Sequence, residues 1–337
     1  MNKFQELVTL QENKGFIYEG KNSRVVFAPD LGARVFCELN GMSLHRLDIE
    51  NVKKADKPFN NYGGNNFWPA PEGGMFGFNY EGDQWRVQQA INNESFVLMQ
   101  ELSSSAMAQK KTTLVNRKGT KIEVKMQRSF SVSAVSDILT QIKPSCAFAY
   151  SVEDSIDVLD GVKSDKGLIS CWTLEQFDAS DTTIAFCKVE NAPSAINFDF
   201  YEHPGERISY TPKGFSYKTD GQKAGQIGLK TASNACCIGF FDLARNLVCL
   251  RELMVPSSGT YFNFADNDQP NGPFSAADNY SIFNGGPAQM FFELETIGAA
   301  EIENDIVLGS KLVSKTSFAI FDSKQQVQQL VDSLIGK

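Results

Sequence analysis

The chain has 337 residues, with 32 Lys and Arg against 40 Asp and Glu, a net charge of -8 and a pI near 5.0. That balance, with no basic run anywhere, argues against a nucleic-acid backbone or an anionic membrane surface as partner, since both need clustered cations. The 42% hydrophobic and 11% aromatic content, including 26 Phe, excludes a disordered chain and supplies a sizeable core.

Length alone permits two ordinary domains or one large β domain. Phe4, Leu7 and Val8 share a helical face behind Asn2, which predicts a short opening helix. Strand signals take over at 23–29 and 33–40, separated by the turn-like Asp30-Leu31-Gly32. Residues 59–82 then switch to Gly, Asn, Pro and aromatics, too irregular for one strand and too aromatic for a linker, and predict a folded functional loop. Strands resume from 95 to 132, with 111–115 and 121–126 flanking a hairpin turn closed by Gly119. Runs at 182–189, 214–218, 235–242 and 247–253 continue the pattern, the last two joined by a turn at 243–246. Helical periodicity returns only at Val327, Leu330, Val331 and Leu334, behind the cap-like Asp322-Ser323, and predicts a terminal helix.

No repeat and no low-complexity linker divides the chain. The expectation is one domain over 1–337, all-β, with large and mainly antiparallel sheets packed face to face, short terminal helices, and a curved outer face free for a ligand. The seven cysteines lack CxxC spacing and read as buried thiols, Cys236 and Cys237 among them. Neither a signal-like apolar core near the start nor a membrane-length apolar run occurs, which predicts a cytoplasmic chain.

Four segments carry groups suited to chemistry. Tyr62 to Phe78 combines paired glycines, which let backbone approach closely, with Trp68 as a flat face for sugar C–H groups and Asn66 and Glu72 as hydroxyl partners. Its competing reading is a glycine-rich corner whose aromatics belong to the core. In Met290 to Thr296, period two puts Glu293 and Glu295 on one face, about 7 Å apart along the strand, as a base and a hydroxyl clamp or as a pair raising one pKa. A solvated strand face is the alternative there. Tyr201 to Arg207 holds His203, one of two histidines, of a type suited to proton transfer near neutrality. The other, His45, reads as a loop residue beside a strand. In Leu168 to Phe177, Trp172, Glu175 and Gln176 can reach a cleft, or Trp172 can be core with Glu175 at a strand end. Nucleotide-binding glycine patterns, nucleophile elbows and His/Cys metal spacings are missing, so no cofactor and no imidazole metal site is expected; an all-oxygen cation site using glutamates stays open.

Read together, these segments resemble the galactose-mutarotase-like (aldose 1-epimerase-like) superfamily, in a bacterial branch. The resemblance rests on Leu31-Gly32-Ala33-Arg34-Val35, on Gly63-Gly64-Asn65-Asn66-Phe67-Trp68-Pro69-Ala70-Pro71-Glu72-Gly73-Gly74, on Leu168 to Phe177, and on Phe283-Asn284-Gly285-Gly286-Pro287 followed by Phe292-Glu293-Leu294-Glu295-Thr296. It implies a supersandwich whose concave sheet binds a small carbohydrate. In aldose mutarotases a glutamate near the C-terminus takes the anomeric proton while a histidine protonates the ring oxygen. The resemblance therefore implies Glu295, ranked above Glu293, as base. The His-Pro-Tyr-Phe-type segment of those enzymes has no match here, and His203 stands as the substitute acid. Arg34, Asn66, Trp68, Glu72, Trp172, Glu175, Arg207 and Glu293 become sugar-contact candidates, with Arg34 and Arg207 as anion contacts if the sugar is phosphorylated. The rivals are a carbohydrate-sensing protein that keeps the cleft without turnover, and a glycosidase or lyase using Glu72 with Glu293 or Glu295.

Overall fold

The computed structural model describes residues 2–55, 57–199, 201–255, 259–262 and 278–336. Successive side chains of a strand point to opposite faces, so alternation of apolar and polar residues buries one face only. Lys121–Val132 follows this rule, with Ile122, Val124 and Met126 buried between the exposed Lys121 and Glu123. Among the described residues such strands build two large antiparallel sheets, one of ten strands and one of eleven.

The ten-stranded sheet carries the site. Nine of its strands run in the order Phe16–Glu19, Ser23–Ala28, Arg34–Leu39, Asn65–Ala70, Ser170–Asp178, Phe291–Ile297, Asp278–Asn284, Gly225–Lys230, Ile196–Asn197, and the tenth, Met42–Ser43, pairs beside Arg34–Leu39. Its inner face meets the second sheet in a shared core, where Phe177 lies 4.6 Å from Phe240 and Phe27 lies 6.3 Å from Phe130, ring centre to ring centre. Its outer face is covered at one end by the opening helix Lys3–Gln11, whose Phe4, Leu7 and Val8 pack on Val26, Ala28 and Phe36. The terminal helix Lys324–Ile335 covers the outer face of the second sheet instead, setting Val327, Leu330, Val331 and Leu334 against Phe186, Phe241 and Leu250.

Two expectations change. Within the stretch expected to be a loop, Asn65–Ala70 is a strand in the middle of the sheet, and all six of its residues are buried. Alternation is absent there because both faces are covered, by the core on one side and the cleft wall on the other. Cys236 is exposed rather than buried, since it lies just outside the strand Cys237–Asp242. Among the described residues no helix is long and apolar enough to cross a membrane.

Candidate functional site

Pairing register places the site. Gln176 lies directly opposite Glu293, Leu174 opposite Glu295, and Trp172 opposite Trp68 on the other neighbour, so period two brings all of these to the outer face. Ser281 and Phe283, opposite Glu295 and Glu293 on the next strand, extend that face, and Gln226 pairs with Phe283 in turn. All of these but the fully buried Ser281 floor a cavity of about 230 Å³, walled by Arg34, Asn66, Glu72, Phe59, Trp85 and Tyr201 among others.

Glu293 and Glu295 are the chemical centre of this cavity. Gln176 Nε2 donates to Glu293 Oε1 at 2.7 Å, and its own Oε1 accepts from Arg46 at 3.3 Å, which fixes the amide with its N–H groups toward the carboxyl. Trp172 Nε1 donates to Glu295 Oε2 at 3.0 Å, and Gln226 Nε2 reaches both Glu295 oxygens at 3.2 and 3.1 Å. Those donors favour ionisation, but burial outweighs them and lifts Glu293 to about 7. Burial and then the neighbouring Glu293 charge push Glu295 well above the usual carboxylate range. Buried side by side, the two carboxyls give up their protons as a pair, both raised by desolvation. Burial also raises the Glu72 carboxyl, partly offset by a 3.0 Å hydrogen bond from Trp85 Nε1. Trp68 Nε1 is buried at the wall with no partner among the described residues.

Glu175, His203 and Arg207 lie elsewhere. Glu175 points to the inner face, one residue out of phase with Gln176, and is fully buried between the sheets. There it accepts from Thr316 Oγ1 at 2.7 Å and binds His45, Tyr150 and Arg251. It is a core carboxylate, and the strand period puts it off the cleft. His45 lies in a bend beside the strand Arg34–Leu39, as expected of a loop residue, but it is buried: its Nδ1 accepts from the Cys37 N–H at 3.0 Å, so the ring proton sits on Nε2 and is given to Glu175 at 2.7 Å. His203 is exposed, its ring tilted against Phe198 with centres 4.4 Å apart, and its Nδ1 accepts from Gly205 N–H at 3.0 Å. It does not line the cavity, although Tyr201 two residues earlier does. Arg207 lies outside too, ion-paired with Asp220. Arg34 reaches the wall but is committed to the Gly63 carbonyl at 2.8 Å.

Over residues 1–336 the sequence matches the family of unknown function DUF6786. The chain belongs to that family. No curated protein matches it. Solved structures show the fold shared more widely. A galactose mutarotase-like protein from Lactobacillus casei superposes with a TM-score of 0.51 at 9% identity, over 90% of this chain and 99% of that one. The Slr1438 protein from Synechocystis sp. gives 0.53 at 13% identity, over 90% and 94%. A proposed aldose 1-epimerase from Escherichia coli K12 gives 0.51 at 11%, over 91% and 98%. The fold of this DUF6786 member is therefore galactose-mutarotase-like, as the sequence motifs implied.

Site residues that sequence reasoning missed are Gln226, Trp85, Phe59 and Phe291. Gln226 sits in Gly225-Gln226-Ile227-Gly228, where flanking glycines erase the alternation that would have announced a strand face. Trp85 lies beyond the aromatic loop on a two-residue strand, too short for any period.

Proposed function

We propose that this protein binds an aldose in the outer-face cleft and interconverts its anomers, with the Glu293–Glu295 pair carrying both proton transfers. The observation that carries the reading is a buried carboxyl pair on one strand face, lining a cavity with tryptophan walls. Anomeric and ring oxygens are bonded to the same carbon, so two adjacent carboxyls can serve both without a histidine. Glu293 takes the proton of the anomeric hydroxyl as Glu295 gives its own to the ring oxygen. The bond from the anomeric carbon to the ring oxygen then breaks, leaving the open-chain aldehyde. Rotation about the adjoining C–C bond and the reverse transfers close the other anomer and restore the pair. This assigns Glu295 the proton in the resting state, and leaves His203 outside the chemistry.

The test is exchange NMR on free aldoses with wild type, Glu295→Gln and His203→Ala. Wild type is expected to accelerate interconversion, Glu295→Gln to lose it by about 10²-fold or more, and His203→Ala to retain it. Turnover is expected to decline both below about pH 7, as Glu293 protonates, and at higher pH, as Glu295 gives up its proton. Binding without acceleration in wild type would leave a sugar-sensing protein. Because Glu72 joins the pair in one cavity, glycoside cleavage is the second reading, and release of reducing sugar from a glycoside panel would favour it.

A further inference from the structure

The cleft is both aromatic and lined with carboxyl groups, and this inference rests on the sugar-binding reading above. Glu72, Glu293 and Glu295 line one small cavity, close enough that the Glu72 charge acts on both of the others. The one cation among the described lining residues is Arg34, held by the Gly63 carbonyl with its guanidinium 5.3 Å from the Tyr62 ring centre. Arg207, the other cation the sequence offered for an anionic group, is paired with Asp220 outside the lining. A phosphate entering here would meet three carboxyls against one committed guanidinium, whereas an ammonium would meet groups that can ionise to pair with it.

The aromatic wall points the same way. Trp68 and Trp172 lie 5.9 Å apart at 84°, and Phe59 stands edge-on to Trp68 at 6.0 Å and to Trp85 at 5.1 Å. Aromatic rings lining a cavity beside carboxyls favour a ligand that carries an ammonium group.

We propose that the aldose taken by this cleft carries a protonated amine, making it an amino sugar rather than a neutral, N-acylated or phosphorylated one. An ammonium placed among the carboxyls favours their ionised forms, so binding displaces protons from the cleft.

The experiment is titration calorimetry near pH 6, where the amine is fully charged, in two buffers of different ionisation enthalpy. The probes are 2-amino-2-deoxyglucose and 6-amino-6-deoxyglucose, compared with glucose, N-acetylglucosamine and glucose 6-phosphate, and the same series in the galacto configuration. At least one amino sugar is expected to bind about tenfold or more tighter than its neutral parent, with net proton release, while the phosphate ester binds weakest. Glu72→Gln is expected to shrink that preference more than it weakens the neutral parent. Neutral or N-acetyl sugars binding as tightly as the amines, or binding without proton release, would overturn the amine assignment and leave sugar binding intact. Absence of binding across the whole panel would remove both. The wild-type comparison decides the matter even if Glu72→Gln fails to fold.

Discussion

Neighbouring residues on one central strand do opposite jobs. Gln176 faces the cleft and orients Glu293, while Glu175 faces the core and is ion-paired with Arg251 at zero exposure. Burial raises the Glu175 carboxyl, but Arg251, His45 and Tyr150 outweigh it and hold the group at about 2, below its ordinary 4.5. A carboxyl depressed on folding contributes stability above its unfolded value, and that contribution is lost as pH falls through the folded value. Glu175→Gln leaves Arg251 buried without its counter-charge and is expected to cost roughly 3–5 kcal/mol at neutral pH. Urea titration reads this, and the gap to wild type should narrow as pH falls from about 4.5 toward 2. A variant as stable as wild type at neutral pH would show that the inter-sheet network contributes nothing net.

The terminal helix Lys324–Ile335 separates packing from capping. Leu330 is fully buried against the second sheet, whereas Ser323 only caps, its Oγ accepting from Gln326 N–H at 3.4 Å. Leu330→Ala is expected to cost about 2–5 kcal/mol and Ser323→Ala about 1 kcal/mol, measured by chemical unfolding; equal costs would mean the helix is not docked through its apolar face. This helix was legible in the sequence because its period is intact, as was the hairpin now seen at Ser105–Val115 and Lys121–Val132. The strand Asn65–Ala70 was not, because a strand covered on both faces has no alternation to read. The same contrast governs the site. Glu293 and Glu295 could be paired from spacing alone, while the assignments of Glu175 and His203 failed on which face a strand presents and where a surface turn lies. Those depend on register and tertiary placement, which local pattern does not contain.

Chain order and spatial order are interleaved in the whole molecule. The site sheet runs from N-terminal strands through Asn65–Ala70 and Ser170–Asp178 directly to Phe291–Ile297, so strands from both ends of the chain meet at its centre. Neither half can complete that sheet or its core alone, and we propose one domain on that ground. Calorimetric and tryptophan-fluorescence unfolding are expected to coincide in one transition; two separated transitions would divide the chain. The interleaving also gathers the cleft, since Trp68, Trp172 and the carboxyl pair come from three strands far apart in sequence.

All three tryptophans of the chain, Trp68, Trp85 and Trp172, line this one cavity, which makes their indole N–H groups reporters of it. The direct test is a titration of ¹⁵N-labelled protein with amino and neutral aldoses, following the three indole signals. Saturable shifts of these signals, with the Trp172 response altered in Glu295→Gln because its acceptor has changed, are expected. Indole signals that stay unmoved at every sugar concentration, for every sugar offered, would contradict a carbohydrate site at the Glu293–Glu295 pair.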